Sequence, residues 1–498
     1  MGDVYFTTNP TEWTRLPGLY ISERNPVAFI TGADLSTVGM ATRCVRGPTT
    51  PLTITSVAQF LEIYGGRDYG SGGTLIGQGW AALANKPFGT LVIRRVAAAD
   101  GVKGTLNLSN VTPTAIARVD ASSLGLWGAD VEVEVTDATD GDATHWNLVV
   151  TYLGETVTLQ NLDTSTGVDN LAVTVGDDPG RLIDITKLAD GRPLNSGPTA
   201  LGSAAEGTLV VGDYTAGMND IAVYPGVAVC LTPEASAGSA ATFNGNLVTL
   251  ASTVADRMFL TWSQVHGQSR STEVTAVAAQ ITTTSDRIVW CYNSTYTVDP
   301  ETTTEFAQAP HVWLASIMSQ NDVDEHPGAA VCAKQTAGVK RMANTSLSRG
   351  DLIALREAGI STLERIADRR NRSSMFLFRD AVTTDLTDGK TEITRRRMAD
   401  FLQLSASDRL RAFVKAKGTR VNRALMAGEI TAFSEDLMDQ ERIVENFSIE
   451  QEAVNTKAQR ARGLEKLLWS VELVKHMLYI VLETDIGTGV TIERRAAA

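Results

Sequence analysis

The chain is short of the residues that carry most site chemistry. Its 498 residues include 4 cysteines and 5 histidines. Cys44, Cys230, Cys291 and Cys332 lie far apart with no C-x-x-C pair, which speaks against a zinc site and against a secreted disulfide framework. Buried free thiols are the expectation. His145, His266, His311, His326 and His476 show neither H-E-x-x-H nor H-x3-H spacing, so no metal and no cofactor is expected. No apolar run approaches the roughly 20 residues of a membrane-spanning helix, and Met477 to Leu482 is only a strand-sized block, so membrane insertion is not expected. The opening Met1-Gly2-Asp3-Val4-Tyr5-Phe6 has no basic n-region or apolar h-region, and Phe6 stands where a myristoylation pattern needs Ser or Thr; neither an export signal nor a lipid anchor is expected. Aromatic residues are 6% of the chain and do not interleave with basic ones, as single-stranded nucleic-acid binding would need.

What is present is a chain able to fold. Apolar residues make up 43% and charged residues 20%, a composition that buries a core, and the length predicts about two to four domains. The net charge of −13 is unevenly spread. Residues 1–338 hold 17 basic against 34 acidic residues, whereas residues 339–498 hold 27 against 23. Within the acidic part, residues 111–215 alone carry 4 basic and 16 acidic residues, which predicts a solvated outer surface and argues against a nucleic-acid groove there.

Residues 1–24 carry Pro10, Pro17 and Gly18 and too few apolar residues for a core, and they read as an extended arm. A compact pattern follows, with strands at Val38 to Val45 and Thr90 to Val96 and a helix over Ser56 to Tyr64, where Ser56 is the expected N-cap. In 111–215, Val131, Val133 and Val135 alternate with acidic residues, Asp140-Gly141-Asp142 signals a turn, and Trp146, Leu148, Val150 and Tyr152 alternate again, so an inserted β-rich domain is expected. Residues 216–339 alternate helix-like and strand-like segments, including a helix over Thr304 to Ser319, and predict an inserted α/β domain with some parallel pairing. Past residue 340, Leu410, Phe413, Val414, Val421 and Leu425 fall at helical spacing, and the chain ends in β pattern: Leu467, Trp469, Val471 and Leu473 alternate, Gly487 and Gly489 form a joint, and Val490-Thr491-Ile492 makes a last strand.

Catalytic patterns are sparse. Gly65-Gly66-Arg67-Asp68-Tyr69-Gly70-Ser71-Gly72-Gly73 lacks the Gly-Lys-Ser/Thr ending of a P-loop and reads as a structural loop. No G-x-S-x-G elbow is present, and an α/β hydrolase-like enzyme with an accessory β domain would need an ordered polar pocket near His266 or His311. The run Arg395-Arg396-Arg397 and the cluster Arg409, Arg411, Lys415, Lys417, Arg420 and Arg423 are suited to phosphates or an acidic protein wall, and equally to ordinary amphipathic helices.

The two tails have a physical consequence of their own. An extended segment outside its own core must satisfy its N–H and C=O groups elsewhere, and the edge of another subunit's sheet does this. If both tails donate, each copy is tied to several neighbours, and a non-closing arrangement grows into a ring stack or tube. A different structural protein, of a surface array or capsid, remains an alternative on the same features.

The order of segments resembles the tail sheath proteins of contractile-tailed bacteriophages, which are related to contractile bacteriocin and type VI secretion sheaths. The matching stretches are Pro17-Gly18-Leu19-Tyr20-Ile21-Ser22-Glu23, Val45-Arg46-Gly47-Pro48, Ile54 to Gly66, Thr90-Leu91-Val92-Ile93-Arg94-Arg95-Val96, Arg396-Arg397-Met398-Ala399-Asp400-Phe401 and the β-rich ending after Asn455-Thr456. The end departs from the family, with Glu483-Thr484-Asp485-Ile486-Gly487 where a Pro-Val-Arg-Pro-like stretch is usual. The resemblance implies a multidomain fold, α/β and α+β: an N-terminal arm (1–24), an inner tube-facing α+β domain (25–110 plus 340–475), an inserted acidic β-rich outer domain (111–215), an inserted α/β domain (216–339) and a C-terminal arm (476–498). It implies a non-enzymatic subunit that joins neighbours through Pro17 to Glu23 and through Tyr479, Val481, Gly487, Val490, Thr491 and Ile492, with Arg395, Arg396 and Arg397 as candidates to face the tube. The partners implied are further copies in a helical homo-oligomer of stacked rings, the tail tube protein, and baseplate and tail terminator proteins, with no direct nucleic-acid contact. The place implied is the virion tail sheath, assembled in the host cytoplasm.

Overall fold

The computed structural model describes residues 4–6, 19–21, 34–65, 90–165, 180–224, 226–230, 237–254, 257–263, 270–298, 303–324, most of 326–345, 347–367, 374–440, 444–475, 480–486 and 490–496. The chain divides into two compact units, one of residues 34–398 and one of 1–33 with 399–498.

The larger unit is organised by a mixed sheet of eight strands. In spatial order they are Ser374–Phe378, Ile360–Ala367, Ile288–Tyr292, Arg257–Trp262, Gly226–Cys230, Thr37–Thr42, Thr90–Arg95 and Leu52–Ile54. The six inner strands pair in parallel and the two edge strands antiparallel. Parallel strands are covered on both faces and read as unbroken apolar runs. Accordingly every residue of Arg257–Trp262 and Ile288–Tyr292 is buried. The helix Pro310–Asp324 lies against four of these strands and is buried from His311 through Ser319, as a helix surrounded by protein must be. The helix Val211–Ile221 packs on Thr37–Thr42, Thr90–Arg95 and Gly226–Cys230. Gly226 opens its strand at φ +104°, and a Cβ there would stand 2.2 Å from the Thr37 carbonyl oxygen, so glycine is what lets the two strands meet.

Local signals are met where chemistry is local. Ser56 caps the helix Val57–Tyr64 by accepting the Gln59 N–H at 3.1 Å. The helix expected over Thr304 to Ser319 begins later: Glu305–Gln308 is a strand between which and Val339–Met342 lies Thr295–Val298, and Pro310 is the first helical residue. Proline cannot occupy a helix interior but suits its first position, so the break belongs there.

Residues 105–200 form two antiparallel sheets over one apolar core. One has the order Ile183–Lys187, Ala115–Ala121, Thr105–Ser109; the other Glu155–Asp163, His145–Tyr152, Val131–Asp137, Ser196–Ala200. Val131, Val133, Val135, Trp146, Leu148 and Val150 meet Val119, Ile183 and Ile185 in that core, while Glu132 points to solvent. The alternation read from sequence is thus the inside-outside pattern of a sandwich. The sandwich takes in Thr105–Ser109, before the boundary expected at 111, and the boundary expected at 215 falls inside the helix Val211–Ile221. Strands from 25–110 and from 216–339 stand side by side in the eight-stranded sheet.

Candidate functional site

Among the described residues of the smaller unit, strands occur in pairs. Val4–Phe6 pairs in parallel with Leu19–Ile21, Val4 opposite Leu19 and Phe6 opposite Ile21. Ile480–Ile486 and Val490–Ala496 form an antiparallel pair with Val481 opposite Arg495, Thr484 opposite Ile492 and Asp485 opposite Thr491. Of the expected arm residues, Leu19, Tyr20, Ile21, Val481, Val490, Thr491 and Ile492 therefore lie in strands, whereas Pro17, Gly18, Ser22, Glu23, Tyr479 and Gly487 fall outside the described residues.

The third pair, Val444–Glu450 with Leu468–Leu473, has one covered face. Phe447, Ile449, Trp469, Val471 and Leu473 are half-buried, and Ser448, Glu450, Ser470 and Glu472 on the other face are exposed. Trp469 meets Phe433 of the helix Arg420–Asp439 at 6.2 Å between ring centres, and Phe433 meets Phe401 at 6.2 Å. The connection is tied by Asn455, whose Nδ2 donates to the carbonyls of Gln451 and Lys466, each at 2.6 Å, and by Arg460, 2.9 Å from Glu452. Among the described residues no third strand joins any of these three pairs. Two-stranded sheets are marginal alone, and open edges invite a further strand.

The proposed tube-facing run is not one surface. Arg397 is 2% exposed, Arg396 is largely buried with Nη1 3.3 Å from Asp286, and only Arg395 is exposed, beside Gly389. The helix Ile393–Leu410 gives the reason: successive residues on a helix point about 100° apart, so three in a row cannot share a face. The exposed basic surface lies further on. Arg411, Lys415, Lys417 and Arg420 are exposed around the turn between this helix and Arg420–Asp439, with Arg423 half-buried. Thr419 caps the second helix by accepting the Asn422 N–H, Asn422 Nδ2 donates to the Lys417 carbonyl at 2.8 Å, and Arg423 Nη1 donates to the Gly418 carbonyl at 2.9 Å. Between the cations stand Val414, 67% exposed, Val421, 67%, and Leu425, 53%. Sequence spacing puts these three at helical intervals, and the structure leaves all three exposed. Arg409 sits apart, paired with Glu429 at 2.8 Å across the two helices.

The histidines named for an enzymatic pocket give no support to one. His266 lies outside the described residues. His311 is fully buried, stacked on Trp262 at 6.3 Å, with neither ring nitrogen hydrogen-bonded, and burial lowers its pKa to about 3. A general base needs an orienting partner and solvent or substrate within reach, and His311 has neither. Among the described residues no group of three or more His, Cys, Asp or Glu is placed to hold a metal. On the sandwich, His145 stands among carboxylates, with Nδ1 2.5 Å from Asp140 and Nε2 3.6 Å from Asp163. Hydrogen bonding to Asp140 is the chief reason its pKa is raised.

No protein-family model matches the chain, and no curated protein matches it. Solved structures do. A sheath tail protein from Desulfitobacterium hafniense shares 14% identity at a TM-score of 0.58, covering 92% of this chain and 100% of its own. A sheath tail protein from Listeria innocua shares 12% at 0.57, covering 89% and 96%. The helical sheath of the anti-feeding prophage in its contracted state shares 11% at 0.55, covering 94% and 99%. The chain has the fold of contractile sheath proteins, a mixed α/β multidomain architecture.

Proposed function

We propose that this chain is the structural subunit of a contractile sheath, a non-enzymatic lattice element of a bacteriophage tail. The observation that carries the reading is the match in fold over nearly the whole length to sheath tail proteins and to a contracted helical sheath. The terminal strand pairs support it from within the chain, because among the described residues no third strand joins them, and a neighbouring copy can add one. In this reading Leu19 to Ile21 and the strands about Val481 and Thr491 exchange between copies, the copies stack as rings, and the ends of the stack meet baseplate and terminator proteins. The exposed basic turn from Arg411 to Leu425 faces an acidic tube wall in place of Arg396 and Arg397. Contraction then passes from one lattice to a more stable one, drives the tube through the host envelope, and sums a small free-energy change over many subunits.

The test is negative-stain microscopy of the purified chain beside a version lacking residues 1–23. The full chain is expected to form long hollow cylinders and the truncation to stay a folded monomer. Flat sheets, closed shells, a solitary full-length chain, or normal cylinders from the truncation each refute the reading in part or whole.

A further inference from the structure

The inserted sandwich is joined to the eight-stranded sheet by two adjacent chain crossings, and one side chain runs between the bodies. At the crossings Val102 pairs with Ala205 and Thr105 with Gly202, and Asp100 Oδ1 accepts the Thr208 N–H at 2.9 Å. Arg46 leaves the loop after the strand Thr37–Thr42 and is 7% exposed. Its Nη1 donates to the Gly180 carbonyl at 2.9 Å, on the sandwich side, and its Nη2 donates to the Glu62 carbonyl in the helix Val57–Tyr64 on the sheet side. The guanidinium carbon stands 5.8 Å from the Trp127 ring centre and 5.6 Å from that of Tyr152, and these two rings meet edge to face at 5.7 Å. The next residue repeats the link, since Gly47 N–H donates to Ser123 Oγ at 3.0 Å.

The loop that carries Arg46 is itself held. Arg95, 1% exposed at the end of Thr90–Arg95, donates Nε to the Cys44 carbonyl at 3.0 Å and Nη2 to the Val45 carbonyl at 3.3 Å. Gly125 of the sandwich, at φ +120°, lies so close that a Cβ would stand 2.9 Å from Arg95 Nη2 and from Glu206 Oε2. Among the described residues no carboxylate forms an ion pair with Arg46. An apolar side chain would fill such a slot without burying a charge, so stability alone does not account for a guanidinium there. What a guanidinium adds is a rigid fork of donors that reaches carbonyls on two bodies at once while its charge stands over two aromatic rings.

We propose that Arg46 is a positioning residue: it pegs the inserted sandwich to the eight-stranded sheet so that the two turn as one body. The relevance to contraction rests on the sheath reading above, because a rigid subunit passes motion to its strand links in place of absorbing it at this joint. The peg itself is read on the unassembled chain.

Hydrogen–deuterium exchange on the full-length protein, at a concentration below assembly, compares the wild type with Arg46→Met and Arg46→Lys. In Arg46→Met the joint amides of Gly47, Val102, Thr105, Gly202 and Ala205 are expected to exchange at least about tenfold faster, the scale of losing charge-assisted hydrogen bonds. Amides of the strands Val131–Asp137, His145–Tyr152, Arg257–Trp262 and Ile288–Tyr292 are expected to keep wild-type rates. Arg46→Lys keeps the charge but not the fork and is expected to show the same selectivity with a smaller change; it decides the matter if Arg46→Met does not fold. A uniform rise across both cores, or unchanged joint rates, overturns the proposal. Neither result depends on whether the chain forms cylinders, so a failure here is distinct from a failure of the sheath reading.

Discussion

The two compact units solve the same problem, the covering of strand backbones and faces, to different extents. In residues 34–398 the sheet is eight strands wide, its strands Arg257–Trp262 and Ile288–Tyr292 are buried throughout, and a short antiparallel strand stands at each edge. In the unit of 1–33 and 399–498 the described strands stand in twos, and the one pair whose faces are described alternates between half-buried and exposed. The first unit can hold its fold from its own contacts. The second carries exposed apolar side chains such as Val421 and Leu425. The difference teaches where this chain closes its own structure: the wide sheet is packed by its own helices, and the described terminal strands are not.

The sharpest way to break this contrast is a matched pair of truncations. Phe259→Ala removes a ring that is fully buried in a central strand and is expected to cost about 3–5 kcal/mol. Val471→Ala removes less from a half-buried position on a bare pair and is expected to cost under about 1 kcal/mol in the unassembled chain. Urea unfolding midpoints measure both. Comparable losses at the two sites would mean that the small unit carries a core as closed as the large one.

How much of this was legible in the sequence follows the same division. Alternation at Val131, Val133, Val135 and at Trp146, Leu148, Val150 announced the sandwich, because a half-covered strand writes its inside and outside into every second residue. Ser56 announced its helix through a capping bond three residues long. The joining of 37–42 to 226–230 in one sheet was not legible, since parallel partners lie far apart in sequence and both faces of each strand are covered. Arg395 to Arg397 misled for a geometric reason: a run of like charges looks like a patch in one dimension and is spread around a helix in three. The exposed turn at Arg411 to Leu425 was half-read, its cations noted and its apolar residues assigned to a stripe, because periodicity cannot say whether a stripe has anything to face. Nothing in the spacing of Arg46 distinguished a peg from a surface cation; only its burial between Trp127 and Tyr152 does.

A second prediction sets the fully buried interior against acid. The ordinary histidine pKa is 6.5, and in the folded chain His311 is lowered to about 3 by burial. The unfolded chain therefore binds the extra proton first as pH falls, so stability is full above 6.5 and is lost progressively from there down to about 3. At pH 5 the loss from this one residue is about 2 kcal/mol. His311→Phe keeps a flat ring against Trp262 and is expected to flatten the acid limb of the stability–pH curve measured by urea titration. An unchanged acid limb would show that water or a partner reaches the imidazole, and the interior of the large unit would be less closed than described.

The smallest effect carries the opposite sign and belongs to the solvated sandwich. His145 is held by Asp140, with Asp142 and Asp163 close by, and its pKa is raised, first by the hydrogen bond to Asp140 and then by the charges of the three carboxylates. The interaction is therefore present below the unfolded value of 6.5 and is lost as pH rises through the higher folded value. Asp140 and Asp142 are exposed and solvent screens their charges, so the readout is the titration itself. By NMR the His145 ring is expected to titrate above 6.5, and Asp140→Asn is expected to bring it back toward that value, while His311 shows no titration across the neutral range in either protein. One domain then tightens as pH falls below neutral and the other loosens. Should both rings titrate together near 6.5, the distinction between a closed interior and a solvated outer surface would fail at the level of single protons.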